Sequence, residues 1–428
     1  MSGTISPLTP RNGSQYCVLH PASSYFYISN INARTAETTH STCYIAFHLI
    51  VLTNSVLNHS HKSIEVHTVP MKILHVITTL GTGGAEKLMV DLLPRLAADG
   101  HDVELAVFDG QRTPFYDQLL GRGIKVHSLG QGSVYSPRHI LSLRKLIKHG
   151  HYDIVHTHNT ACQLYGAMAC VGFKKVCLFT TEHSTNNRRR GHWYWRTIDR
   201  WMYKRYHRVI CISDIASTSL KEHLGKHRDN IITINNGVDI AMFNKATASD
   251  TLEHIAPGSR KIIMVAGFRW EKDQDTVIRA MTHLPDKFHL FLVGEGTRQS
   301  ELQTLTDNMN VNSRVHFLGR RDDIPNLLHA ADYIVMSSHF EGLSLSSVEG
   351  MSVGRPFLAS DVNGLREVVA QAGILFPHSD DQALADVIIS LDNSPEQYSL
   401  VANACLQRAT QYDISKMVNG YLKIYINC

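Results

Sequence analysis

From residue 71 onward the chain alternates short apolar runs with amphipathic stretches of helical period, and this rhythm limits the available folds more than any other feature. The first run, MKILHVITTL, is apolar on successive positions, the pattern of a strand covered on both faces. It passes through the glycine turn GTGG into AEKLMVDLLPRLAADGHDV, an amphipathic helix closed by Gly100. Strand-like segments VELAVF, IKVHSL, DIVHTH, VCLFTTEH, RVICIS and IITINNGVD follow, with helical segments between them. Strands joined through helices make parallel sheet with helices on both faces. After the polar stretch ASDTLEHIAPGSR, a second series of the same kind runs KIIMVAGF, FHLFLVGEG, VHFLGRRDD, YIVMSS, PFLASD and GILFP. With 428 residues the chain exceeds what one core usually organises. Two doubly wound α/β units joined near residues 240–260 are therefore expected, with a ligand where strand ends face a shared cleft.

Residues 1–70 read differently: Ser, Thr, Asn and His are scattered without period, among only five charged side chains, Arg11, Arg34, Glu37, Lys62 and Glu65. The abrupt change at Met71 suggests that Met71 is the natural initiator and that residues 1–70 come from an over-extended reading frame; a variable extension is the alternative. The eight cysteines show no C-x-x-C pair or regular spacing, so reduced thiols are expected rather than a disulfide framework or zinc ribbon. The most apolar run, CYIAFHLIVL, is about half of the roughly 20 residues that a bilayer requires. The formal charge of +4 is spread over many acids and bases, so nothing in it points to nucleic acid.

Four motifs carry chemistry. GTGG at residues 81–84 lies between a strand and its helix, where amides and the helix dipole suit an anion; Glu86 stands where a dinucleotide fingerprint needs glycine, which disfavours a nicotinamide enzyme. VAGFRWEKDQDT follows the first strand of the second unit and offers Arg269 and Lys272, a fork of donors and a point charge fit to hold adjacent phosphates. EGLSLSSVEGMSVGRP, residues 341–356, sets Glu341 before a helix expected to start near Ser346 or Ser347 and to stop at Gly354, and Glu349 within it. Amides of residues 343–346 would face an anion, Glu349 could accept two hydrogen bonds from a diol such as a ribose, and Glu341 lies nearer whatever the anion carries. Together these make a binding strip for a nucleotide sugar. The fourth, TTEHSTNNRRRGHWYWRTIDRWMYKRYHRV, combines His183 with Arg188, Arg189, Arg190 and with Trp193, Trp195 and Trp201; it suits a membrane interface or an anionic acceptor, or else an ordinary aromatic core.

These residues resemble the retaining glycosyltransferases of family 4, whose GT-B fold has two Rossmann-like domains facing a central cleft. The resemblance runs from Met71 to the C-terminus and is most specific at residues 341–369, where the two-glutamate block is followed by PFLASDVNGLREVV; GTGGAEKL, TEH, NNGVD, RWEKD and YDISKMVNGYLKIY support it. It implies an N-terminal acceptor domain, residues 71–245, completed by a C-terminal helix at 412–428, and a nucleotide-sugar domain at 246–411. It further implies that Glu349 holds the donor ribose and Glu341 the donor sugar, with His183 beside that sugar. Lys272 and Arg269 would neutralise the diphosphate, helped by Gly267, Gly342 and amides at Leu343, Ser344 and Leu345, while Gly83 and Gly84 let the first-domain loop approach the ligands. In many relatives the arginine stands five places before the lysine, where this chain has Gly267, so Arg269 departs from the pattern. No D-x-D suited to a metal-bound diphosphate accompanies the strip, and DQD at residues 273–275 reads as a helix start, so metal-independent transfer from a UDP- or GDP-linked hexose is implied. The implied setting is surface polysaccharide or lipopolysaccharide synthesis on a glycan or lipid-linked acceptor, cytoplasmic, at the inner face of a bacterial membrane. A nucleotide-sugar 2-epimerase of the same fold and a non-catalytic glycan-binding subunit are the rival readings.

Overall fold

The computed structural model describes residues 69–428 except 82, 184–191, 226–228 and 343. The reading of residues 1–70 as an extension therefore falls almost wholly outside the described residues, as do Arg188, Arg189, Arg190 and Leu343. The first sheet comprises β1 (Lys72–Ile77), β2 (Asp102–Val107), β3 (Lys125–Ser128), β4 (Ile154–His158), β5 (Cys177–Glu182), β6 (Arg208–Cys211) and β7 (Ile231–Thr233). The second comprises β8 (Arg260–Val265), β9 (Phe288–Val293), β10 (Val315–Gly319), β11 (Tyr333–Met336), β12 (Phe357–Ser360) and β13 (Ile374–Phe376). Five helices bear on the site: α1 (Gly84–Ala98), α2 (Trp193–Lys204), α3 (Gln274–Ala280), α4 (Leu345–Met351) and α5 (Ile414–Ile426).

Every strand pairing is parallel, in the orders β3-β2-β1-β4-β5-β6-β7 and β10-β9-β8-β11-β12-β13. The apolar runs have this form because both sheet faces are covered: Ile73, Leu74, Val76 and Ile77 of β1 are all fully buried. The chain is thus α/β with two Rossmann-like sheets. In each, the order reverses beside the first strand, between β1 and β4 and between β8 and β11, and crevices open at the carboxyl ends of such strands.

Three local features differ from the sequence expectations. The chain crosses to the second sheet earlier than residue 245, since Val238, Ile240 and Phe243 already belong to the second core. Helix α4 starts at Leu345, one or two residues before the expected start, because the Ser344 side chain accepts the Ser347 amide and caps it there; it ends at Met351, ahead of Gly354. Cys177 and Cys428 form a disulfide across 251 residues, since α5 returns its end to β5, a proximity that spacing in the chain cannot reveal; Cys162, Cys170, Cys211 and Cys405 are buried and outside any disulfide.

Helix α5 returns to the first sheet, where Ile414, Met417, Val418, Tyr421 and Tyr425 join Ile73 and Leu92 in one core. The two strands of chain that pass between the sheets are bonded to each other: Val238 N donates to Tyr412 O at 2.9 Å and Ile414 N to Val238 O at 2.9 Å. Gly237 permits this approach, for a Cβ there would lie 2.5 Å from the Cα of Ile414.

Candidate active site

The loops after β8 and β11 leave neighbouring strands at the second switch point and are stitched together. After β8 the chain passes Gly267 and the exposed Arg269, makes a single 3-10 turn at Trp270–Lys272, and enters α3 through Asp273, whose carboxylate accepts from the Thr276 amide and hydroxyl. DQD is therefore a helix start, as its sequence suggests. Ser337 Oγ donates to Asp273 O at 2.6 Å and His339 N to Glu271 O at 2.9 Å. This register brings Lys272 Nζ to 2.5 Å from Glu341 Oε1, which also accepts from Ser338 Oγ at 2.8 Å. Lys272 and Glu341 keep only 17% and 12% of their side-chain exposure, so the pair is shielded enough to act electrostatically. Arg269 is exposed three residues before Lys272 and forms no ion pair among the described residues.

Gly364 holds the Glu341 loop in place. Its φ of +86° is open to glycine, and a Cβ would meet Glu341 O at 2.3 Å and Gly342 O at 2.4 Å. Gly342 itself borders open space. Glu349 projects from α4 toward α1 of the first sheet, where Lys87 and Asp91 form an ion pair at 2.5 Å. Burial raises the Glu349 carboxyl above the usual range, with Lys87 lowering it and Asp91 raising it to lesser degrees. Its carboxylate has no hydrogen-bond partner among the described residues. A cavity of about 730 Å³ between the two halves meets Glu349, Lys87, Asp91, Arg122, Arg320 and Arg321. At the first switch point a Cβ on Gly83 would strike Glu86 Oε2 at 2.2 Å, whereas Gly84 has room for one.

His183, at the end of β5, is half-buried and tied to its own sheet: its Nε2 lies 3.0 Å from His158 Nδ1, and His158 Nε2 lies 2.9 Å from His75 Nδ1. No hydrogen bond joins His183 to Glu341, Lys272 or Arg269 among the described residues. Burial depresses His75 to about 3 and His183 to about 4, so both stay neutral at physiological pH. The tryptophans of α2 are not core: Trp193 is 81% exposed and Trp201 44%, with the exposed Tyr194 and Ile198 on the same helix, while Trp195 is half-buried; Tyr203 near the helix end is the aromatic that enters the core.

Of the residues expected from sequence, the structure joins Lys272 to Glu341 and sets Glu349 at the cavity shared with α1. Sequence reasoning missed Ser338, Gly364 and the Lys87 and Asp91 pair. The pair had a signal, two opposite charges four apart on an amphipathic helix, while Ser338 showed only as the polar end of YIVMSS.

Residues 82–242 match the family described as Glycosyltransferase Family 4, and residues 251–405 that described as Glycosyl transferases group 1. The chain is 24% identical over 377 residues to the UDP-Gal:alpha-D-GlcNAc-diphosphoundecaprenol alpha-1,3-galactosyltransferase of Escherichia coli, covering 83% of this chain and 97% of that protein. It is 27% identical over 290 residues to a glycogen synthase of Mycobacterium tuberculosis, covering 64% and 68%. The crystal structure of Anabaena Alr3699/HepE in complex with UDP superposes with a TM-score of 0.74 at 21% identity, over 84% of this chain and 100% of that one, which establishes a shared fold. With both family regions in order on two facing Rossmann-like sheets, the chain belongs to the group 1, family 4 glycosyltransferases of GT-B fold.

Proposed function

We propose that the protein moves a hexose from a nucleoside-diphosphate sugar, UDP- or GDP-linked, to a glycan or lipid-linked acceptor with retention of configuration, in surface polysaccharide or lipopolysaccharide synthesis. The observation that carries this reading is the Lys272–Glu341 pair at the switch point, with Glu349 eight residues on at the cavity shared with α1. A relative whose acceptor is a diphosphoundecaprenol-linked sugar, and a fold neighbour that binds UDP, support the acceptor class and the nucleotide.

In this reading Glu349 accepts two hydrogen bonds from the ribose, and Lys272 and Arg269 take up the charge that grows on the diphosphate, aided by amides at residues 343–345, without a metal. Gly267 and Gly342 keep the phosphate loops open, and Gly83 and Gly84 do the same for the loop facing the sugar. The bond from anomeric carbon to phosphate oxygen breaks while the acceptor hydroxyl adds on the same face, its proton passing to the departing phosphate. Glu341 orients the sugar and is not a nucleophile, unlike the second carboxylate of a retaining glycosidase. His183 contacts the same sugar. The exposed Trp193 and the partly covered Trp195, with Arg188, Arg189 and Arg190 nearby in sequence, suit a lipid surface and support a reading in which transfer takes place at the cytoplasmic face of a membrane. No helix among the described residues is long and apolar enough to cross a membrane, so contact would be peripheral.

Calorimetry of UDP-, GDP-, ADP- and CMP-sugars against the full chain, with Glu349→Ala as control, tests this reading. One donor should bind saturably and lose that binding in the control; no binding by any donor to folded protein would refute the transfer.

A further inference from the structure

The first sheet carries a line of buried imidazoles that donor binding does not explain. His75 lies mid-way along β1, His158 ends β4, and His183 follows β5, and their rings are linked in that order by two hydrogen bonds of 2.9 and 3.0 Å. His75 and His158 are fully buried. His156 stacks against both, its ring centroid 5.0 Å from that of His75 and 4.5 Å from that of His158. These three histidines stand close enough to suggest a metal, but the arrangement opposes one. Both ring nitrogens of His156 are occupied, by Tyr425 Oη and by Thr181 Oγ1, and rings stacked within 11° to 22° of parallel cannot aim their lone pairs at a common point.

Each link in such a chain has one proton, so the state of either end dictates the rest. The inner end is His75 Nε2, fully buried and without a partner among the described residues. A buried N–H without an acceptor is among the rarest and costliest defects in folded proteins, whereas a bare acceptor is better tolerated. His75 Nε2 is therefore the bare nitrogen, and the proton of His75 sits on Nδ1 and is donated to His158 Nε2. His158 must then carry its own proton on Nδ1 and donate it to His183 Nε2.

We infer that His75 and His158 are positioning residues that fix the tautomer of His183, holding its Nε2 as an acceptor and leaving its Nδ1–H as a donor for an oxygen of the transferred sugar. The assignment of a sugar contact rests on the function proposed above; the tautomer does not. On this account His183 serves as a fixed hydrogen-bond donor and not as a base, and its orientation is set from the interior of the sheet. The stack of His156 on His75 and His158, itself pinned by Tyr425 of α5, keeps the line from tilting.

Long-range proton–nitrogen correlation on the full chain labelled with 15N-histidine reads the tautomer directly, with His183 identified by the signals lost in His183→Gln. The expected result is a protonated Nδ1 and a bare Nε2 on His183 in the absence of any donor; a protonated Nε2 overturns the inference whether or not the protein transfers sugar. Two variants then test the positioning role. His158→Asn places an amide N–H where Nδ1 stood, and His158→Leu removes the donor. The Leu variant is expected to mix the two His183 tautomers and to lower kcat/KM about ten-fold, chiefly through KM, as loss of one hydrogen bond of about 1.4 kcal/mol would. The Asn variant should retain the tautomer and recover to within about three-fold. Equal losses in two folded variants would refute positioning, and should the Leu variant not fold, the wild-type tautomer decides.

Discussion

Glu341→Gln is the most informative single change, because the structure predicts opposite signs for two of its effects. In the wild type, Lys272 Nζ is held at 2.5 Å by Glu341 Oε1, so a diphosphate arriving at the switch point must share that cation. Contacting unit charges at an effective dielectric of ~20 attract by about 4 kcal/mol or more, most of which is returned as desolvation. A net 1–2 kcal/mol is a fair estimate for a pair as shielded as this one. The amide keeps the shape and can still accept from Ser338 Oγ, so the fold should lose only about 1 kcal/mol. Released from the pair, Lys272 should bind free UDP or GDP more tightly, by roughly 3- to 10-fold if up to ~1.4 kcal/mol becomes available. Turnover should instead fall about 100-fold, since the carboxylate proposed to orient the sugar is lost. Titration calorimetry of the nucleoside diphosphate and initial rates with the donor measure the two effects on one preparation. Unchanged or weaker diphosphate binding with lower turnover would refute the shared-cation argument, and unchanged turnover would refute the role of Glu341 itself.

Four further outcomes follow from the geometry. Glu349→Gln should weaken donor binding about 10- to 100-fold while stabilising the free protein at neutral pH. The sign comes from its raised carboxyl: the protonated form is the one the fold favours, so its stabilising contribution is full below the unfolded value near 4.3 and is lost as pH rises through the folded value. Thermal melts of both proteins across pH 4–8 check this, and a stability gain for the Gln variant confined to acid pH would contradict it. Gly364→Ala should cost about 1–3 kcal/mol in urea unfolding and abolish most turnover, because the new Cβ meets the carbonyls of Glu341 and Gly342; a fully active variant would show that the loop is not held there. Trp193→Ser with Trp201→Ser should reduce sedimentation with anionic vesicles several-fold and leave the melting temperature within about 2 °C, since both rings are exposed; unchanged sedimentation would rule out α2 as a membrane contact. Cys428→Ser should destabilise the oxidised protein by about 2–4 kcal/mol and the reduced protein hardly at all; equal effects in the two states would contradict the disulfide.

The two sheets were legible because a strand covered on both faces leaves a run such as KILHVI, and because glycine and proline mark where each run stops. The neighbourhood of Lys272 and Glu341 was legible because both lie in βα segments after adjacent strands, and Glu349 follows one turn into the helix after the second of them. What stayed hidden arises between elements distant in the chain. His75 reads as one more residue of an apolar strand, and only the sheet order β1-β4-β5 brings it, through His158, into line with His183. Asp91 and Lys87 face Glu349 across the cavity, a contact that no local period encodes. Cys177 and Cys428 were read as unrelated because their proximity depends on where α5 ends, 251 residues later. The early crossing at Val238 was masked by a polar stretch further on, which marks composition rather than core membership.

The return of α5 to the first sheet has a consequence for the order in which the molecule can be made. Tyr421 and Tyr425 bond to Thr181 and His156, and Met417 and Val418 fill the core beside Ile73 and Leu92. When β7 leaves the ribosome, the residues that close this face are still roughly 190 codons away, or about 10–40 s at ordinary rates of synthesis. Until then the first sheet stands with an apolar groove exposed to water. The N-terminal half therefore cannot finish folding before the C-terminal half has been made, and a ribosome stalled late in the message would release a nearly full-length chain with that groove still open.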